Sequence, residues 1–248
     1  MTSRFRGGAA FSLIELLVAV AIIAVLIALL FPALASVRES SRRTTCASGL
    51  RQWGVAMLAY RNDHRQHLPR EGAINSPAMP DAWYNALPPY VNAQPYGSIY
   101  DGSPLGANEG YANDWIWHCP TRIALDRRHS TTGKNAFHYG MNAVLNGTNT
   151  YGPNLGEGPQ PRYFIDTRLI DDPARTLFLA EAHNQPAISP ALNVEPQYRQ
   201  LDRERHDGSF NALFIDAGVR LLPGTEVGEP VQMGGRWRSG EVVWGPFW

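Results

Sequence analysis

From Leu16 to Phe31 every residue is apolar, and Phe11 to Ile14 extend the run with Ser12 as its single polar member. About 20 apolar residues rising ~1.5 Å each cross a hydrocarbon core ~30 Å thick, so the segment enters a membrane as a helix. A cleavable secretory signal has a shorter apolar core with a small-residue cleavage site behind it. Here the run is too long, and Ala33-Leu34-Ala35 is the nearest such site. A plain anchor needs only apolarity and flanking charge. A third kind of segment is cut in front of the run and keeps it. Glu15 separates the last two. An unpaired carboxylate in a membrane helix costs on the order of 2.5–3.5 kcal/mol at the centre and less near an end. A plain anchor has no use for that cost, whereas a subunit packed beside copies of itself can pair the carboxylate with a neighbour's N-terminal ammonium. Charge bias does not fix the orientation, because Arg4 and Arg6 precede the run while Arg38, Arg42 and Arg43 follow it.

The stretch Ala10-Phe11-Ser12-Leu13-Ile14-Glu15-Leu16-Leu17-Val18 resembles the prepilin peptidase recognition site of type IV pilins and type II secretion pseudopilins. The resemblance implies cleavage between Ala10 and Phe11 and N-methylation of the new Phe11 terminus. It also implies that Glu15, the fifth mature residue, is the intersubunit charge partner. Pro32 falls where those proteins carry a helix-kinking proline. The departure is Ala10, where the pattern has Gly. The implied partners are prepilin peptidase, other pilin or pseudopilin subunits and inner-membrane lipid. The implied placement is single-pass in the inner membrane, N-terminus cytoplasmic before processing, C-terminal domain periplasmic or extracellular. On this reading residues 1–10 are the leader and 11–32 the transmembrane and assembly helix.

Residues 33–62 continue the helical pattern, with Leu50, Trp53, Met57 and Leu58 on one face and Arg38, Glu39, Arg42, Arg43 and Arg51 on another. Gly49 and Gly54 are its weak positions. His64 and His67, just before Leu68-Pro69, read as exposed residues at the helix terminus rather than as a metal pair. Residues 63–248 form the exported domain on this reading, rich in Gly and Pro and therefore in loops. Within it Trp83 to Leu87 suggests a short helix, Trp115 to Pro120 a short strand ended by proline, and Ala136 to Leu145 an ordered element of open type. Gly152 to Pro161 reads as loop. Arg175 to Ala182 reads as a buried strand, and Ser209 to Leu222 as a hairpin turning at Asp216-Ala217-Gly218. A long helix followed by these strands predicts an α+β, pilin-like fold with the helix packed on an antiparallel sheet.

Cys46, Leu50-Arg51-Gln52, Tyr60, Pro69, Cys119-Pro120, Tyr139-Gly140-Met141-Asn142, and His206 followed by Asp216 widen the resemblance. Together they look like a large pilin-like family with a prepilin N-terminus and a C-terminal His-x9-Asp-Gly motif. This chain has Ala217 where that motif has Gly, with Gly218 next and able to supply a positive φ.

Formal net charge is zero, which argues against nucleic acid as a partner. Two cysteines, Cys46 and Cys119, are too few for a disulfide framework; one bridge between them or two separate thiols both remain open. His206 with Asp202, Glu204, Asp207 and Asp216 has two readings. One is a metal locus, Ca²⁺ or a transition ion, with His206, Asp207 and Asp216 as ligands, although no Asp-x-Asp-x-Asp loop is present. The other is a histidine bonded to Asp216 or to backbone across the hairpin, with no cofactor. Trp83, Trp115, Trp117, Trp237, Trp244 and Trp248 either stack on sugars or fill the core. Glu181-Ala182-His183 lacks a supporting nucleophile, and no Gly-x-Ser-x-Gly, His-Glu-x-x-His, phosphate loop or dinucleotide fingerprint occurs, so the chain does not read as an enzyme. A structural subunit of a type II secretion or type IV pilus-like assembly is the leading expectation. A membrane-anchored module binding carbohydrate or a metal ion is the rival.

Overall fold

The structure, a computed structural model, describes residues 12–72, 76–99, 116–123, 137–145, 166–183, 186–188, 200–203, 205–225, 231–233, 236–239 and 242–245. The chain divides into two units, Met1–Ser41 and Arg42–Trp248. The division falls inside the stretch expected to be the amphipathic continuation of the helix.

One helix, α1 (Leu13–Asp63), contributes to both units and carries Pro32 in its interior. Its start is built by a reciprocal cap. The Ser12 carbonyl accepts the first helical bond from the Leu16 amide at 3.2 Å, and the Ser12 hydroxyl accepts from the Ile14 amide at 3.4 Å. The Glu15 carboxylate turns back to accept from the Ser12 amide at 3.0 Å. Ser-x-x-Glu is the pattern that satisfies two otherwise orphaned amides at a helix start.

In the second unit, α1 buries Cys46, Leu50, Trp53, Met57 and Tyr60, spaced four and three residues apart. That spacing places all five on one stripe, and burying a large apolar side chain of this kind contributes about 1.5–3 kcal/mol. Leu58, expected on this face, is 39% exposed. It lies one position from Met57, about 100° around the helix, and so leaves the stripe. Gly49 and Gly54 mark close approaches. A Cβ on Gly49 would meet the Tyr139 hydroxyl at 3.2 Å, and one on Gly54 the Leu213 side chain at 3.1 Å.

Beyond the helix come α2 (Trp83–Ala86) and α3 (Tyr96–Ile99), each a single turn. A mixed five-stranded sheet follows, built from β1 (Tyr139–Asn142), β2 (Leu177–Glu181), β3 (Ala187–Ile188), β4 (Ser209–Phe214) and β5 (Val219–Pro223). Its order is β3-β1-β2-β4-β5. All neighbours are antiparallel except the two-residue edge strand β3, which runs parallel to β1. The segment Ala136 to Leu145 therefore resolves, over its described part, into β1 and a 3₁₀ turn, Ala143–Leu145. A second antiparallel sheet, β6 (Val231–Met233), β7 (Arg236–Ser239) and β8 (Val242–Gly245), had no counterpart in the sequence reading.

Both faces of the central strands are covered. Phe178, Leu179 and Leu213 join the core that includes the α1 stripe, while Leu177, Ala180, Phe210, Ala212 and Phe214 join a second core with Val242 and Trp244. This is why β2 and β4 read as nearly continuous apolar runs rather than as alternation. Trp53, Trp83 and Trp117 form an edge-to-face cluster with Trp53 at 5.3 and 5.0 Å from the other two rings. The Trp53 and Trp83 indole N–H groups donate to the Ile116 and Pro186 carbonyls at 3.0 and 2.8 Å, satisfying the polar end of each buried ring. The expected strand ending at Pro120 is not one in its described part. Residues 116–117 turn, and Pro120 opens a helical turn at 120–123, closed by the Ile123 amide on the Cys119 carbonyl. Proline suits the first position of a helix, where its missing N–H costs nothing.

Candidate functional site

Two places in the chain carry candidate residues. The first is the apolar start of α1. Leu13, Ile14, Leu16, Leu17, Val18 and the apolar residues on to Phe31 are exposed around the whole helix. Among the described residues one helix, α1, is long and apolar enough to cross a membrane. Ala10 and Phe11, the expected cut, lie outside the described residues. Glu15 is described, on its own helix start as set out above.

The second place is a buried polar hub where α1, the 116–123 segment, β2 and the approach to β4 meet. Cys46 and Cys119 are joined by a disulfide with their Cα atoms 4.8 Å apart. Beside it Glu181, on β2, accepts from the His206 Nε2 at 2.9 Å, from the Asn211 amide at 2.8 Å and from its side-chain Nδ2 at 3.1 Å. The same Nε2 lies 3.9 Å from Cys119 Sγ, and His206 Nδ1 lies 3.3 Å from Thr121 Oγ1. Glu181 is wholly buried and His206 is 3% exposed. A buried carboxylate is tolerated only when its lone pairs are met, and here an imidazole and two N–H groups meet them.

Around this pair sits a layer of further charge. Asp202 accepts from Arg205 Nε at 2.8 Å and lies 3.4 Å from Arg122 and 3.3 Å from His183 Nε2. Burial alone would raise the Asp202 carboxyl, but Arg205, His183 and Arg122 outweigh it and hold it below its ordinary value. Arg205 also donates to the His138 and Ala182 carbonyls at 2.7 and 2.6 Å. His138 Nδ1 accepts from the Cys119 amide at 3.0 Å, and burial, with His118, Arg205 and Arg122 nearby, pushes its pKa well down. Burial likewise takes His118 down to about 4. The Tyr139 hydroxyl donates to the Cys46 carbonyl at 3.3 Å, and burial drives its pKa up.

This arrangement corrects the expected partner of His206. Its side chain meets Glu181 and not Asp216, and its backbone closes a local turn with Ser209 ahead of β4 rather than a bond across the hairpin. Asp216 is exposed and caps its own turn, accepting from the Gly218 amide at 2.8 Å. The positive φ of that turn belongs to Ala217, at 66°, rather than to Gly218. Asp207 is exposed, in a left-handed turn at φ 51°. Among the described residues neither aspartate joins a cluster of metal-ligating side chains, and Asp202 is engaged with its cations, so no oxygen cage of the kind Ca²⁺ needs is formed there. The clustered ligand-type side chains are instead Cys46, Cys119, Glu181 and His206. Nor is the hub a nucleophilic triad. Glu181 and Cys119 approach the same imidazole nitrogen, which leaves no relay from one through the other.

Trp83, Trp117 and Trp244 are buried, so they are core rather than sugar platforms; Trp115 and Trp248 lie outside the described residues, as do Glu204 and the loop Gly152 to Pro161. At the end of α1, His64 Nδ1 lies 2.8 Å from the Tyr60 carbonyl and His67 Nδ1 lies 2.9 Å from the His64 carbonyl. Beside them an open cleft of about 590 Å³ is lined by Tyr60, His64, Pro80, Asp81, Asn85, Ala86, Pro89 and Tyr90. Burial, then Asp81 and Tyr90, pushes the Tyr60 hydroxyl up to about 12. Sequence reasoning missed Asn211, Arg205, Arg122, Thr121 and His138 as members of the hub. The one available signal was Glu181 itself, a charge inside a strand otherwise read as buried.

Residues 35–173, more than half of the chain, match the family described as "Protein of unknown function (DUF1559)". The chain belongs to that family. Residues 6–31 match the prokaryotic N-terminal methylation motif, so this member carries the processing signal of a pilin-type subunit. The family match ends at residue 173, ahead of the hub's Glu181 and His206. No curated protein and no solved structure matches the chain.

Proposed function

We propose that the chain is a structural subunit of a type II secretion or type IV pilus-like assembly. On this reading prepilin peptidase cuts between Ala10 and Phe11 and the new terminus is methylated. The apolar start of α1 then holds the subunit in the inner membrane, with residues 63–248 exported, until it packs against sister helices. The observation that supports this most is the methylation motif at 6–31, which takes in the apolar start of α1, exposed on all sides and bearing one carboxylate, Glu15. Pilin-like chains are structural rather than catalytic as a class, and the hub has no nucleophile arrangement.

Intact mass and N-terminal sequencing of the membrane-extracted protein test the processing step. A chain beginning at N-methyl-Phe11 is expected, and one beginning at Met1 would refute it. Glu15→Ala tests assembly. Cross-linked oligomers should disappear while membrane insertion and the exported fold persist.

The Tyr60–Tyr90 cleft favours a second reading, an anchored module that binds a carbohydrate without polymerising. Under that reading Glu15→Ala leaves binding to a glycan array intact and Tyr90→Ala abolishes it.

A further inference from the structure

The four donors around the disulfide have a chemistry that neither the fold nor the assembly role requires. Cys46 Sγ, Cys119 Sγ, a Glu181 carboxylate oxygen and a His206 ring nitrogen all lie within 4.8 Å of one another, and all four residues are buried. A tetrahedral zinc site, with Zn–S of about 2.3 Å and Zn–N or Zn–O of about 2.0–2.1 Å, has ligand–ligand edges of roughly 3.3–3.8 Å. Reduction of the disulfide would let its two sulfurs part to about 3.8 Å, and closing the widest separation in the group, now up to 4.8 Å, by about an ångström would complete the shell around an ion. Two sulfurs, one imidazole and one carboxylate are donors that suit Zn²⁺ and not Ca²⁺ or Mg²⁺. The outer layer is already in place. Asn211 holds Glu181 through two N–H groups, and Thr121 lies against the far nitrogen of His206. Such partners fix ligand orientation at metal sites.

We propose that the dithiol form of this domain binds one Zn²⁺ through Cys46, Cys119, Glu181 and His206, and that forming the disulfide expels it. In the metal-bound form both sulfurs are thiolates, His206 is neutral and Glu181 is ionised. Oxidation by a disulfide of an exported thiol oxidant, written R–S–S–R, takes two electrons from the two thiolates and makes the Cys46–Cys119 bond. With two protons from solvent, the oxidant leaves as two R–SH and Zn²⁺ is released. The four ligands come from α1, the 116–123 segment, β2 and the approach to β4, so the ion would gather the same elements that the disulfide and the Glu181–His206 contact hold afterwards. Because the site is buried, loading precedes closure of the domain, and binding energy becomes folding energy.

The experiment uses the full chain in detergent, reduced with a phosphine under anaerobic conditions and titrated with Co²⁺ alone. One Co²⁺ per chain is expected, with thiolate-to-cobalt charge-transfer bands that Zn²⁺ bleaches, and none with the disulfide intact. Glu181→Gln and His206→Gln should each weaken binding by about tenfold or more. Near-ultraviolet circular dichroism of the reduced chain should regain the oxidised signal when Zn²⁺ is added. No uptake by the reduced chain would overturn the proposal. So would equal affinity in both variants, since two thiols of an opened chain would then be the whole site. Failure of Zn²⁺ to restore the fold would overturn it as well. Processing at Phe11 does not enter any of these outcomes, so they stand or fall apart from the assembly reading.

Discussion

Residues 13–31 and residues 46–60 belong to the same helix and are both rich in apolar side chains, yet they solve opposite problems. In the first stretch apolar residues occur all round and every one is exposed; in the second Cys46, Leu50, Trp53, Met57 and Tyr60 fall on one stripe and are buried, while Val55 and Leu58 lie off it and are exposed. An all-round pattern has no preferred partner face and suits lipid or several neighbouring helices at once. A stripe commits to one sheet. The single polar requirement of each stretch differs in the same way. Glu15 is met by the Ser12 amide of its own helix, whereas the second stretch delivers Cys46 to a hub assembled from residues 73 and more positions away.

The sharpest way to break this contrast is to truncate one side chain in each stretch. Trp53→Ala should destabilise the domain by about 5 kcal/mol, the upper part of the usual range, because it also strands the Ile116 carbonyl. Leu26→Ala should leave denaturant unfolding of the domain unchanged and reduce cross-linked oligomers if the assembly reading holds. Paired urea titrations in detergent followed by tryptophan fluorescence measure both.

Acid sharpens the contrast next. His118, kept neutral by burial down to about pH 4, binds its proton only in the unfolded chain between that pH and its ordinary value of 6.5. Stability is therefore lost as pH falls through this window, by on the order of 3 kcal/mol for one such histidine. His138 adds to the loss in the same direction, and Asp202, whose folded pKa is depressed, adds more below about pH 4. Melting temperature measured between pH 7 and 4 should fall steadily, and a flat profile would place these groups outside the cooperative core.

The smallest effect is a methyl group. Gly54→Ala gains helix propensity but sets a Cβ at 3.1 Å from Leu213, so a net loss of about 1 kcal/mol is expected by thermal melting. Ala28→Leu, in the other stretch, should change nothing in the same assay.

What could be read in advance follows the same division. Periodicity located α1, the buried strand β2 and the β4–β5 hairpin, because each pattern is carried by neighbours in sequence. It misread 116–120, where apolar side chains are buried by tertiary contact in a turn rather than by a strand. The parallel pairing of β3 and the second sheet escaped because they depend on which edges are free once the first sheet has formed. For the hub the limit was pairing. His206 has Asp216 ten positions away on the far side of its own strand, while its partner Glu181 is brought in by the β2–β4 neighbourhood. A histidine and an aspartate at fixed spacing looked like a unit, but one end of that spacing serves the core and the other a turn.

The Cys46–Cys119 bond also determines how the molecule would carry tension. A pull transmitted along the chain from the start of α1 reaches Cys46 and crosses the bond directly to Cys119, a shortcut past a separation of 73 positions. The stretch between them, which includes Trp53, Met57 and α2, lies in a side branch that bears none of the covalent load. Opening the bond would put that branch back in series and release hidden length of roughly 250 Å, at a contour of about 3.4 Å per residue. A filament built from such subunits would thus have an extensibility set by the redox state of a single pair of sulfur atoms.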